Sequence, residues 1–149
     1  MIKFIFVALF VFIGCPDYLH YTALPDLADA AVLSTQSDSS DAKLAAAYKH
    51  RSSNFQIEGQ GTVVKVLPDD IDGTRHQKFI VRLNSGQTVM IAHNIDVASR
   101  VLALNKNDFI RFCGQYEWNK RGGVIHWTHI DPRGSHVAGW IEHKGKIYQ

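Results

Sequence analysis

The chain has 149 residues, 46% of them hydrophobic and 20% charged, with a formal net charge of +2. This composition excludes a disordered or fibrous protein and leaves room for one globular domain behind a leader. From Arg51 onward thirteen Lys and Arg stand against nine Asp and Glu, a mild basic bias that suits an anionic ligand but is short of what a dedicated duplex-DNA binder carries.

Residues 2–13 hold a lysine followed by an apolar run. A membrane-spanning helix needs roughly 20 apolar residues, so the run fits a signal peptide better and predicts export to the periplasm or the exterior. Phe12-Ile13-Gly14-Cys15 has the form of a bacterial lipobox, in which Cys15 is acylated and anchors the chain to a membrane. The alternative is ordinary signal-peptidase cleavage before Ala31. Two cysteines, Cys15 and Cys113, are too few for a disulfide scaffold, so stability must come from the core.

Residues 16–40 end in a Ser-rich stretch and read as a linker. Asp41 to Arg51 reads as a helix, capped by Ser40 or Asp41, with Leu44, Ala47 and Tyr48 as its apolar stripe. The expected organisation is therefore a leader at 1–15, a linker at 16–40 and a domain over 41–149.

From Phe55 the hydrophobic period changes to two. Strands are expected at Ile57 to Pro68, Arg75 to Leu83, Gln87 to Ile95, Phe109 to Trp118 and Val124 to Ile130. In the second, Phe79, Val81 and Leu83 share one face, and His76, Lys78 and Arg82 share the other. Asp96 to Leu102 reads as a short helical or irregular piece, and Trp140 to Tyr148 as a terminal hairpin. Short, evenly spaced strands with a glycine-bearing first strand predict a mainly β fold. The best match is a small five-stranded OB-like barrel with an N-terminal helix and a C-terminal hairpin; a β-sandwich is the rival.

The densest chemistry lies between His126 and His136, which also holds Trp127, His129, Asp131 and Arg133. As metal ligands, His126, His129, Asp131 and His136 can offer a divalent ion imidazole and carboxylate donors. On a regular strand, however, His126 and His129 point to opposite faces, and a hydrogen-bonded structural network is the competing expectation. As acid–base machinery, His129 paired with Asp131 can move a proton while Arg75 and His93 gather from neighbouring strands. As a binding surface, His76, Lys78, Arg82, Asn94, Trp127 and Arg133 can hold an anion or a single strand. For Trp118, Trp127 and Trp140 packing is the plainer role. Asp69-Asp70-Ile71-Asp72-Gly73 lacks the glutamate that closes a calcium loop and reads as a solvated turn.

Two resemblances bear on these residues. Phe79-Ile80-Val81-Arg82-Leu83 and Ile95-Asp96-Val97-Ala98 are loosely similar to the arginine-bearing strand and aspartate turn of staphylococcal-type nucleases, which implies a cation-assisted phosphodiesterase. Ser99-Arg100 follows instead of that family's glutamate base. More extensively, Glu58 to Val64, Arg75 to Phe79, Ala92 to Asp96, Gly122 to His129 and Asp131 to Gly134 resemble a small family of bacterial exported proteins of unknown function. That resemblance implies that Arg75, His76, His93, Asn94, His126, His129, Asp131 and His136 are family features, and it implies no activity.

The leading expectation is a monomeric exported module that binds an anionic ligand, single-stranded nucleic acid included. The alternatives are a metal-assisted phosphodiester hydrolase and a structural envelope protein without a small ligand.

Overall fold

The computed structural model describes residues 27–149. The expected leader and the acylation motif at Cys15 lie outside the described residues. One helix, α1 (Leu27–His50), precedes seven strands: β1 (Phe55–Val66), β2 (His76–Arg82), β3 (Thr88–Asn94), β4 (Phe109–Glu117), β5 (Val124–His126), β6 (Trp140–His143) and β7 (Lys146–Tyr148).

The strands pair in the order β1-β2-β3-β5-β4, and β1 pairs again with β4, so five strands close on themselves in the pairing order of an OB barrel. β1 serves two partners: Phe55 to Thr62 pairs with β4, and Thr62 to Val66 pairs with β2 across a bulge between Val63 and Lys65. β1 approaches β2 closely at Gly61, where an added Cβ would lie 2.3 Å from the Arg82 carbonyl oxygen. The hairpin β6–β7 extends the sheet from β4. Arg111 on β4 ties three strands together, with Glu58 at 2.8 Å and Glu142 at 3.1 Å.

The alternation read from sequence holds. Phe79 and Val81 from β2, Val89 and Ile91 from β3, Phe112 and Tyr116 from β4, and Ile125 from β5 are all buried in one core. Each such side chain contributes roughly 1.5–3 kcal/mol by leaving water.

The helix departs from expectation. It begins at Leu27 rather than Asp41, so residues 27–40 are helical and not a linker. Ser37, Asp41, Leu44 and Ala47 form its buried stripe. The polar half of that stripe is paired with the β2–β3 turn: Asn84 Nδ2 donates to Ser37 Oγ at 3.0 Å, and Ser85 N–H donates to Asp41 Oδ2 at 2.7 Å. A Ser- and Asp-rich helix is marginal alone; here tertiary hydrogen bonds hold it. They hold it at the barrel rim opposite the one described next.

Candidate functional site

β3 and β5 run parallel and β2 runs antiparallel to β3. The C-terminal ends of β3 and β5 therefore meet the N-terminal end of β2 at one rim. His76 and Asn94 face each other across that rim in direct register. Each neighbours a residue buried in the barrel, Gln77 and His93 respectively, and His126 likewise follows buried Ile125. Side chains alternate along a strand, so all three project outward. They line a cleft of about 540 Å³ together with Thr74 and Val97 from the adjoining loops.

The other wall comes from the segment after β5. The fifth strand stops at His126 instead of running to Ile130, and Trp127 takes φ = 53°. The left-handed region costs a residue with a side chain on the order of 1–2 kcal/mol. The kink breaks the strand alternation. His126, Trp127 and His129, which a regular strand would split between two faces, all line the same cleft. Gly139 permits this by lying against the kink, where an added Cβ would be 2.1 Å from the Trp127 carbonyl oxygen. Its N–H donates to the His129 carbonyl at 3.0 Å.

Trp127 is braced. The His136 ring stacks on its indole with centroids 4.3 Å apart and planes 7° from parallel, and the His129 ring sits tilted at 5.4 Å. Both nitrogens of His136 face oxygen, Gln115 Oε1 at 2.5 Å and the Val137 carbonyl at 2.8 Å. Gln115 is oriented in turn, donating from Nε2 to Glu117 Oε1 at 2.9 Å.

Asp131 has a different occupation. Its carboxylate accepts from the N–H groups of Arg133, Ser135 and His136 and from the Ser135 hydroxyl, all between 2.8 and 3.1 Å. The Arg133 amide leads these donors, and together they hold the carboxyl down to about 2. A carboxylate so saturated orders the loop. It does not pair with His129, whose Nδ1 donates to the Ile130 carbonyl at 2.8 Å, so the proton-moving pair expected from sequence does not form. Arg133 lines the cleft, and its guanidinium has no partner among the described residues.

The cleft imidazoles share a pattern. Nδ1 of His76 lies 2.7 Å from the Thr74 carbonyl. A carbonyl only accepts, so Nδ1 carries the hydrogen in both His76 and His129, and Nε2 of each has no hydrogen bond among the described residues. His126 Nε2 is buried without a hydrogen-bond partner among the described residues, 4.0 Å from Glu117 Oε1. Burial pushes the His126 ring below its ordinary value. Glu117 opposes that shift, while His136, His76 and His129 reinforce it. Asn94 Oδ1 accepts from Asp96 N–H at 2.9 Å, which leaves its amide nitrogen as a donor.

Several expected members lie elsewhere. His93 is fully buried on the inner face of β3 and is held by Thr128 Oγ1 at 2.9 Å and the Ser99 carbonyl at 3.1 Å. It is a core residue and cannot reach a ligand in the cleft. Arg75 binds Asp96 at 2.6 Å, Arg100 binds Asp69, and Lys78 binds Asp70 at 3.2 Å. The first two pairs lock the β1–β2 loop to the β3–β4 loop; the third spends Lys78 on the aspartate-rich turn. Arg82 ends β2 at the far rim, roughly 20 Å from His76 at strand rise. The arginine and aspartate of the nuclease-like pattern therefore do not meet. His136 stands behind Trp127, outside the cleft lining. Among the described residues no group of three His, Cys, Asp or Glu can hold a metal ion. The set His126, His129, Asp131 and His136 thus does not assemble, because Asp131 is turned to its own loop and His136 to Gln115.

Thr74, Val97 and Pro132 line the cleft unforeseen, and Gln115 and Gly139 support it. Only strand pairing reveals Gln115, which stands opposite His126 in register.

Comparison with curated proteins finds no match. A family match covers residues 27–149, most of the chain and all of the barrel and cleft. The chain belongs to the family described as protein of unknown function DUF3465.

Proposed function

We propose that the cleft binds a phosphate- or carboxylate-bearing ligand. The supporting observation is convergence: His76, Asn94, His126, His129 and Arg133, drawn from three strands and a loop, line one cavity. Of the two carboxylates nearest them, Asp131 is occupied by four donors, and Glu117, 4.0 Å from His126 Nε2, accepts from Gln115 Nε2. Arg133 supplies a free guanidinium, the group best suited to an oxyanion, and Asn94 supplies an amide donor. An imidazole adds a donor at Nε2 when it takes a proton. The apolar run at residues 2–13 supports action outside the cytoplasm.

The test is titration with inorganic phosphate followed by amide and imidazole chemical shifts. His76, Asn94 and His126 should shift together, and Arg133→Ala should abolish the response in a protein that keeps its spectrum. Added salt should weaken the binding. Shifts scattered over the surface and indifferent to Arg133→Ala would remove this reading.

A further inference from the structure

We infer that the ligand is a nucleotide unit, its base stacked on Trp127 and its phosphate held by Arg133; this rests on the anionic reading above. The indole carries the argument. Trp127 is kept at φ = 53°, a conformation that a bulky side chain adopts only when its surroundings enforce it. One face is covered by His136 in a near-parallel stack, and His136 is itself held between Gln115 Oε1 and the Val137 carbonyl, one ring nitrogen facing each. Trp127 borders the cleft whereas His136 does not, so the imidazole backs the indole on the side away from the cavity, while the His129 ring, tilted at 5.4 Å, stands beside it. A ring made rigid from behind, partly exposed and bordering the cavity is a stacking platform. Bases bind such platforms whatever their identity, because every base has a π face. Arg133 lies on the same loop, its guanidinium without a partner among the described residues. The cavity volume of about 540 Å³ falls within the roughly 300–1,000 Å³ usual for small-molecule sites. A base in a duplex has no free face, so the nucleotide must be free or in a single strand.

The experiment measures affinities by calorimetry for adenosine monophosphate, adenosine, inorganic phosphate and single-stranded hexadeoxyadenylate. Adenosine monophosphate should bind about tenfold or more tighter than phosphate. Trp127→Gly should bring it down to the phosphate level; glycine accepts the φ of this position, so the fold should survive. Trp127→Phe, which keeps a ring, should fall between the two and serves if the glycine variant does not fold. Tighter binding of the hexamer identifies a strand as the source, and equal binding identifies a free nucleotide. Adenosine monophosphate binding no tighter than phosphate would overturn the nucleotide while leaving the anionic reading standing. Adenosine binding as tightly as its monophosphate would overturn the role of Arg133 and the anionic reading with it.

Discussion

Gln77 closes two hydrogen bonds on a single residue across the barrel mouth: its Oε1 accepts from Val101 N–H at 2.9 Å and its Nε2 donates to the Val101 carbonyl at 3.1 Å. Both partners are almost wholly buried, Gln77 at 2% exposure and Val101 at 1%. The loop that supplies Val97 to the cleft is thus pinned to β2 through an amide that mimics a strand neighbour. Gln77→Leu would leave the Val101 amide and carbonyl buried and unpaired. Each orphaned group costs about 1–3 kcal/mol, so denaturant melting should show a loss of at least 2 kcal/mol. A loss below about 0.5 kcal/mol, within the range of an ordinary surface change, would mean that water replaces the amide.

His93 makes stability depend on pH. Burial holds its ring below the ordinary value, partly opposed by the bond to the Ser99 carbonyl. That carbonyl accepts from Nε2–H, which leaves Nδ1 of the neutral ring to accept from the Thr128 hydroxyl. Above about pH 6.5 the ring is neutral in folded and unfolded chains alike, and pH has no leverage through it. As pH falls below that value the unfolded chain takes up a proton that the folded chain refuses, and stability declines by at most about 1.4 kcal/mol per pH unit. His93→Gln should flatten this decline in urea midpoints measured between neutral and mildly acid pH. Parallel slopes for variant and wild type would show that another group is responsible.

Strand parity puts His93 with Val89 and Ile91 in the core, against the catalytic role that its imidazole alone suggests. The barrel was legible for the same reason, since a closed sheet must sort its side chains in and out with period two. Two features were not. The polar residues of the N-terminal half of α1 look like a linker until Asn84 and Ser85, distant in sequence, are brought to Ser37 and Asp41. The kink at Trp127 is not encoded by any glycine or asparagine at that position; it follows from Gly139 and His136 packing on it from the far end of the loop. The cluster was visible as a stretch of sequence. Its convergence depended on a strand ending where local pattern says it continues.

Asp131 should govern the order of that loop. An asparagine keeps one carbonyl oxygen and turns an amide donor toward donors, so Asp131→Asn cannot satisfy the Arg133, Ser135 and His136 amides together. Hydrogen exchange at those three amides should quicken by about tenfold or more, with little change in the strands. The same carboxylate sets an acid limit. Its folded value of about 2 lies below the ordinary 3.8, so its stabilisation is present above pH 3.8 and is lost as pH falls toward 2. Unchanged exchange in Asp131→Asn would show that the loop is held by Trp127 and Gly139 alone.

Gly139→Ala tests the coupling between loop and cleft while leaving every cleft-lining side chain in place. The added methyl would lie 2.1 Å from the Trp127 carbonyl oxygen and 2.5 Å from that of Cys113. Both are backbone atoms, so neither can move aside as the tip of a flexible side chain would. Overpacking of this kind costs typically 1–3 kcal/mol. Because one of the two carbonyls belongs to the kinked residue itself, the displacement should reach the indole. We expect a lowered melting midpoint together with altered Trp127 side-chain resonances and weaker phosphate response at His126. Gly139→Ala with wild-type resonances at Trp127 would mean that the kink is held by the His136 stack and that Gly139 merely accommodates it.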